Sequence, residues 1–174
     1  MLVWTVTALV LLGGFMVAFG APYVPTRPRE LRRAFGELYS VKPTDCLVDI
    51  GSGDGVVLRA FIRLGGRRAV GYEINPVLVF VSKIISRHHP AIEIHLANFW
   101  RAEFPADTTV VYVFGDSRDI RRIQRKVQAE ASRLGRPLHL ISYGFQLADQ
   151  KPIKQRGAHF LYTVTPLQGK KAQV

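Results

Sequence analysis

The residues best placed to do chemistry form one short run, Asp49-Ile50-Gly51-Ser52-Gly53-Asp54-Gly55, together with Glu73 twenty residues after Gly53. Glycines in this pattern let a chain turn tightly and let a ligand approach the backbone, and amides at a following helix start favour polar or anionic groups. A carboxylate ending the next strand can accept hydrogen bonds from ribose hydroxyls. Together they read as an adenosyl-cofactor site, with Asp49, Gly51, Ser52, Gly53 and Glu73 as its residues. The loop lacks the Gly-Lys-Ser/Thr ending of a P-loop, and its spacing is Gly-x-Gly-x-Gly rather than the dinucleotide Gly-x-Gly-x-x-Gly. Negative charge at Asp49 and Asp54 would repel a pyrophosphate but suits the amino group and sulfonium of S-adenosylmethionine.

The elements that must position this turn follow from the hydrophobic pattern. Strands are expected at Leu47 to Ile50, Ala69 to Ile74, Ile92 to Leu96, Thr109 to Phe114 and Leu138 to Tyr143. Between them fall helical stretches, Val56 to Leu64, Pro76 to His88 and Ser117 to Leu134, the last with Ile120, Ile123, Val127, Ala131 and Leu134 on one face. Strands alternating with helices imply an α/β fold: a mostly parallel sheet with helices on both faces and its ligand at the carboxyl ends of the strands. The tail from Pro152 to Pro166 suits one long strand or a hairpin around Gly157.

Upstream, Leu31, Ala34, Phe35 and Leu38 recur at helical spacing after Thr26-Arg27-Pro28, predicting a short amphipathic helix. Residues 1 to 20 carry no charge, and at 1.5 Å per residue such a run reaches about 30 Å. A transmembrane anchor over 1–21 is expected, a cleaved signal peptide being the rival, though the basic stretch that precedes such signals is missing. Arg27, Arg29, Arg32 and Arg33 then predict a single-pass protein with its catalytic domain on the cytoplasmic or organellar matrix side. The expected organisation is the anchor, a linker and helix over 22–42, the α/β domain over 43–168 and a disordered tail over 169–174, working as a monomer.

Lys and Arg outnumber Asp and Glu by 24 to 13, a net charge of +11 that favours an anionic partner without choosing among lipid, nucleic acid and acidic protein. Cys46 is the sole cysteine, which rules out an internal disulfide and reads as a small buried hydrophobe. The five histidines lack metal-ligand spacing, so no metal is expected.

Val48-Asp49-Ile50-Gly51-Ser52-Gly53-Asp54-Gly55 with Gly71-Tyr72-Glu73-Ile74-Asn75-Pro76 resembles the first two motifs of the class I S-adenosylmethionine methyltransferases, which have a Rossmann-like fold. With Tyr23-Val24-Pro25-Thr26, Asn98-Phe99-Trp100 and Val113-Phe114-Gly115, the chain resembles more narrowly the small membrane-anchored protein lysine methyltransferases of the mitochondrial type and their prokaryotic relatives. Those enzymes act on the adenine nucleotide translocase and on the c-type ring protein of ATP synthase. The resemblance implies that Asp49, Gly51 and Gly53 line the methionine end of the cofactor, Glu73 holds the ribose, and Asn98 and Phe99 lie against the adenine. It also implies that Tyr23, Pro25 and Thr26 wall the cofactor or the substrate entry. Phe99 and Trp100 equally suit packing at a strand end, Tyr72 packing beside the loop, and Asn75-Pro76 a helix start.

The chain departs from that subgroup at Asp116-Ser117 and at Tyr143-Gly144-Phe145-Gln146, where the acceptor should dock. Asp116 is the candidate for the base that takes a proton from a lysine, while Asp116 or Ser117 is also an N-cap candidate for the helix that follows. The expected function is methylation of a protein lysine at or near a membrane. The alternatives are a small-molecule, lipid or nucleic-acid acceptor, and a silent membrane-anchored binding module.

Overall fold

The computed structural model describes residues 3–5, 7, 27–114 and 119–167. Five strands, β1 (Cys46–Ile50), β2 (Arg68–Glu73), β3 (Ile92–Leu96), β4 (Val110–Phe114) and β5 (Leu138–Tyr143), run parallel. The short pair β6 (Lys154–Arg156) and β7 (His159–Val164) closes one edge as a hairpin, turning at Gly157 with φ +57°. The strand order is β3-β2-β1-β4-β5-β7-β6, with β7 antiparallel to both neighbours. All five residues of β1 are buried, as are Val110 to Val113 of β4, which is why these strands read as near-continuous apolar runs.

Helices cover both faces. On one, α1 (Pro28–Arg32), α2 (Val56–Arg63) and α3 (Pro76–Ser86) set Leu31, Phe61 and Val79 against Leu47, Ala69 and Tyr112. On the other, α4 (Ile120–Arg133) sets Ile123, Val127 and Ala131 against Val48, Val111 and Leu140. Leu31, Ala34, Phe35 and Leu38 are all buried, as their spacing required, but the chain winds wider beyond α1 and runs as a π-helix over Arg33–Leu38. That wider turn ends with the Tyr39 amide on the Ala34 carbonyl and the Tyr39 hydroxyl on Asp45.

The segment from 144 to 153 crosses from β5 to β6 without a helix, held by the Tyr162 hydroxyl, which accepts from the Leu147 amide. Two expectations are corrected. The N-cap of α4 is Asp119, not Asp116 or Ser117, and its side chain makes no capping bond. The other concerns the single-pass placement. Most of residues 1–21 lie outside the described residues, and among the described residues no helix is long and apolar enough to cross a membrane. The longest of the helices named above, α4, has 14 residues and carries several arginines, where a span needs about 20 apolar ones. The single-pass protein and its sidedness are accordingly not supported.

Because β1 leads outward to β2 and β4 leads outward to β5, adjacent β1 and β4 form the point where the winding reverses. Ligands of such sheets sit outside the carboxyl ends of the strands at that point.

Candidate active site at the carboxyl edge

The glycine turn leaves β1 at this reversal. Gly51, Gly53 and Gly55 have φ of 73°, 54° and 79°, a left-handed conformation that side chains with a Cβ adopt at a cost. The in-register pairing of Asp49 with Gly71 and Ile50 with Tyr72 brings the turn over the end of β2. The amides of Gly51 and Ser52 donate to the Tyr72 carbonyl, and the Gly53 amide donates to Glu73 Oε2 at 3.0 Å. Glu73 Oε1 accepts from the amides of Ile74 and Asn75, each at 2.8 Å. One buried carboxylate thus pins the turn to the start of α3, whose first residues are capped by Asn75.

Asp49 and Ser52 behave differently. Asp49 is 2% exposed, and its Oδ2 has no hydrogen-bond partner. Burial, reinforced by the charges of Glu73 and Asp54, pushes its carboxyl well above the usual carboxylate range. Ser52 Oγ is likewise buried and unpartnered, and it lies so close to Gly71 that a Cβ there would meet it at 2.5 Å. Asp54, by contrast, is engaged in the loop: it caps the Val56 amide and faces Arg59.

A cleft opens beside the turn, lined by Gly51, Glu73, Ile74, Asn98, Phe99 and Trp100. Asn98 is exposed, and its Oδ1 accepts from the Trp100 amide. The Phe99 and Trp100 rings lie 4.3 Å apart, and the Arg122 guanidinium sits 3.9 Å over the Trp100 ring. Both rings also pack against the core, so packing and cleft lining are combined in them. Tyr72 packs as expected, stacked on Phe104 with its hydroxyl on the Glu103 carbonyl. Ile74, 52% exposed on the cleft wall, was missed; its signal was an aliphatic residue directly after the strand-end carboxylate.

Across the reversal point, Phe114 and Tyr143 end β4 and β5 with ring centroids 5.2 Å apart. Tyr143 stacks on His159 at 4.3 Å and 25°. His159 is fully buried, with Nε2 3.1 Å from the Tyr112 hydroxyl and Nδ1 3.8 Å from Glu30. Burial pushes its ring down to about 4 despite Glu30. Nothing in the sequence singled out His159, because its partners come from β4, β5 and α1. Asp116, Tyr23, Pro25 and Thr26 lie outside the described residues. Cys46 is buried, and burial foremost pushes its thiol up to about 12, as suits a packing residue. Among the described residues no group of three His, Cys, Asp or Glu could hold a metal ion.

Residues 49–154, the glycine turn and Glu73 included, match the model of the ANTKMT methyltransferase domain. The chain belongs to this family. Members of the ANTKMT methyltransferase family are dependent on S-adenosylmethionine. The chain is 31% identical over 147 residues to the ATP synthase c-subunit lysine N-methyltransferase of Xenopus laevis, covering 73% of this chain and 62% of that one. It is 31% identical over 134 residues to the adenine nucleotide translocase lysine N-methyltransferase of Mus musculus, covering 74% of this chain and 57% of that one. It therefore spans less than two thirds of the length of these relatives. Among solved structures, an RNA methyltransferase from Salinibacter ruber in complex with S-adenosyl-L-homocysteine superposes with a TM-score of 0.72 at 22% identity. That match covers 85% of this chain and 98% of the other, and it shows the shared fold.

Proposed function

We propose that this chain is an S-adenosylmethionine-dependent N-methyltransferase that modifies a protein lysine at or near a membrane. The observation that carries the reading is the pairing, at the reversal point, of a loop pinned by Glu73 with a buried and unpartnered Asp49 Oδ2. An orphaned buried acceptor is costly in a fold with no use for it, and an ammonium group would satisfy it. In this reading Asp49 and Ser52 take the amino-acid end of the cofactor, beside the turn at Gly51 and Gly53. Glu73 takes the ribose hydroxyls, sharing lone pairs that it already lends to backbone amides. Ile74, Asn98 and Phe99 enclose the adenine.

When bound, the cofactor supplies a methyl group already activated by its sulfonium. What remains for the protein is to align a nucleophile and exclude water. A lysine ammonium must first lose its proton, and the Phe114 and Tyr143 rings at the carboxyl edge provide an apolar wall that lowers its pKa. Asp116 is the proposed acceptor of that proton, and full activity in Asp116→Asn would remove it from the role. The protein-lysine acceptor is supported by the relatives, whose substrates are protein lysines. Radiolabelled methyl transfer into host membrane fractions, resolved into protein, lipid and nucleic acid, tests the whole reading. Label is expected in protein, on lysine; label in either other fraction would overturn the acceptor class.

A further inference from the structure

Helix α3 is built the wrong way round for a surface helix. Its buried positions are Val79, Ser82 and Ser86, while Phe80, Ile84 and Ile85 are 65%, 45% and 47% exposed. The inward serines have a local cause. A Cβ on Gly55 would meet Ser82 Oγ at 2.3 Å, so the glycine turn packs hard against this side of the helix, and Ser86 Oγ accepts from the buried Arg59. Only small side chains fit there. That crowding accounts for the serines but not for the outward face, where at 100° per residue Val77, Phe80, Val81 and Ile84 form one stripe. The exposed Ile74 precedes this stripe at the cleft mouth.

The flank is as informative as the stripe. No acidic residue occurs between Ile74 and Ala91, whereas Lys83 and Arg87 are exposed along one side and His88 lies at the end. An exposed apolar stripe flanked by Lys83 and Arg87, with no acid along the helix, matches a deformable anionic surface rather than a second copy of itself, whose own cations would repel it. We infer that the outward face of α3 lies on an anionic lipid surface, in the plane of the interface, with Phe80 and Ile84 at acyl depth and Lys83 and Arg87 among the headgroups. Such contact needs no spanning helix. It rests on the proposed methyltransferase reading only for its purpose, since it would hold the cofactor cleft beside the bilayer.

The test reads position rather than bulk binding. An environment-sensitive fluorophore is attached to the full chain at Ile84→Cys, and in a second protein at Arg125→Cys on the exposed face of α4; buried Cys46 does not compete for label. Each is mixed with phosphatidylcholine vesicles, with or without phosphatidylglycerol, carrying an acyl-chain quencher. The expected result is a blue shift and at least several-fold quenching at position 84 on phosphatidylglycerol vesicles only, little change at position 125, and loss of the position 84 signal when Phe80→Asp is added. Water-like emission at position 84 on all vesicles would overturn the inference. So would a shift that grows with protein concentration without vesicles, indicating a second copy, or quenching indifferent to lipid charge and to Phe80→Asp. Calorimetry with S-adenosylmethionine on the same labelled proteins separates outcomes: retained binding with no lipid signal defeats this inference alone.

Discussion

The two sides of the reversal point use their buried oxygens in different ways. On the β1–β2 side, Asp49 Oδ2 and Ser52 Oγ are buried without partners, and Glu73 holds three backbone amides. On the β4–β5–β7 side, Tyr112 meets His159, Tyr162 holds Leu147, and Ser142 Oγ donates to the Phe145 carbonyl. The first side keeps polar capacity in reserve for a small ligand of fixed shape. The second pairs its hydroxyls internally, leaves, among the described residues, only the Nδ1 atoms of His139 and His159 without hydrogen bonds, and presents rings. A cofactor pocket and an apolar acceptor wall make these different demands.

The comparison breaks most sharply at Glu73. Glu73→Ala should weaken cofactor binding by about 3 kcal/mol, on the order of 100-fold by calorimetry, because a charged acceptor and the pin on the turn are lost together. Unchanged affinity would erase the distinction between the two sides. His159 offers a matching test on the second side. Its folded pKa, about 4, lies below the unfolded value of 6.5, so its contribution is intact above pH 6.5 and is lost as pH falls toward 4. Chemical unfolding should show up to about 3 kcal/mol lost over that window, with a flatter profile in His159→Phe.

Asp49 should show the opposite sign. Its folded pKa is raised, so stability without cofactor falls as pH rises above 3.8, and Asp49→Asn should remove that slope. The same variant should bind cofactor about tenfold more weakly, an exchange of affinity for stability that titration and thermal unfolding together reveal. The smallest effect sharpens the division. Tyr143→Ala should lower kcat/KM for a protein acceptor by roughly tenfold, about 1.4 kcal/mol, while cofactor affinity stays within a factor of two; a fall in both would place Tyr143 in the cofactor pocket.

Much of this arrangement was legible in the sequence where local chemistry decides it. Strand bounds fell within a residue where parallel strands buried on both faces are near-continuous apolar runs, as in β1 and β4, and where proline and glycine flank the run, as at Leu138 to Tyr143. Asn75-Pro76 was readable because capping is a two-residue device. What escaped depends on contacts remote in sequence. That Glu73 pins Gly53 follows from the register of β1 on β2, and the burial of His159 from three separate elements. The inverted α3 escaped for the related reason that periodicity finds a hydrophobic stripe without saying which side of it faces the sheet.

The pinned turn also bears on turnover. Under the proposed roles, the contacts that grip the cofactor involve its ribose, its adenine and its amino-acid end, and the demethylated product keeps all three. A loop that Glu73 holds in shape beforehand gains little from the methyl group, so product should occupy the site nearly as well as fresh cofactor. The enzyme would then run only as fast as another reaction, one that cleaves the thioether nucleoside, clears its product away.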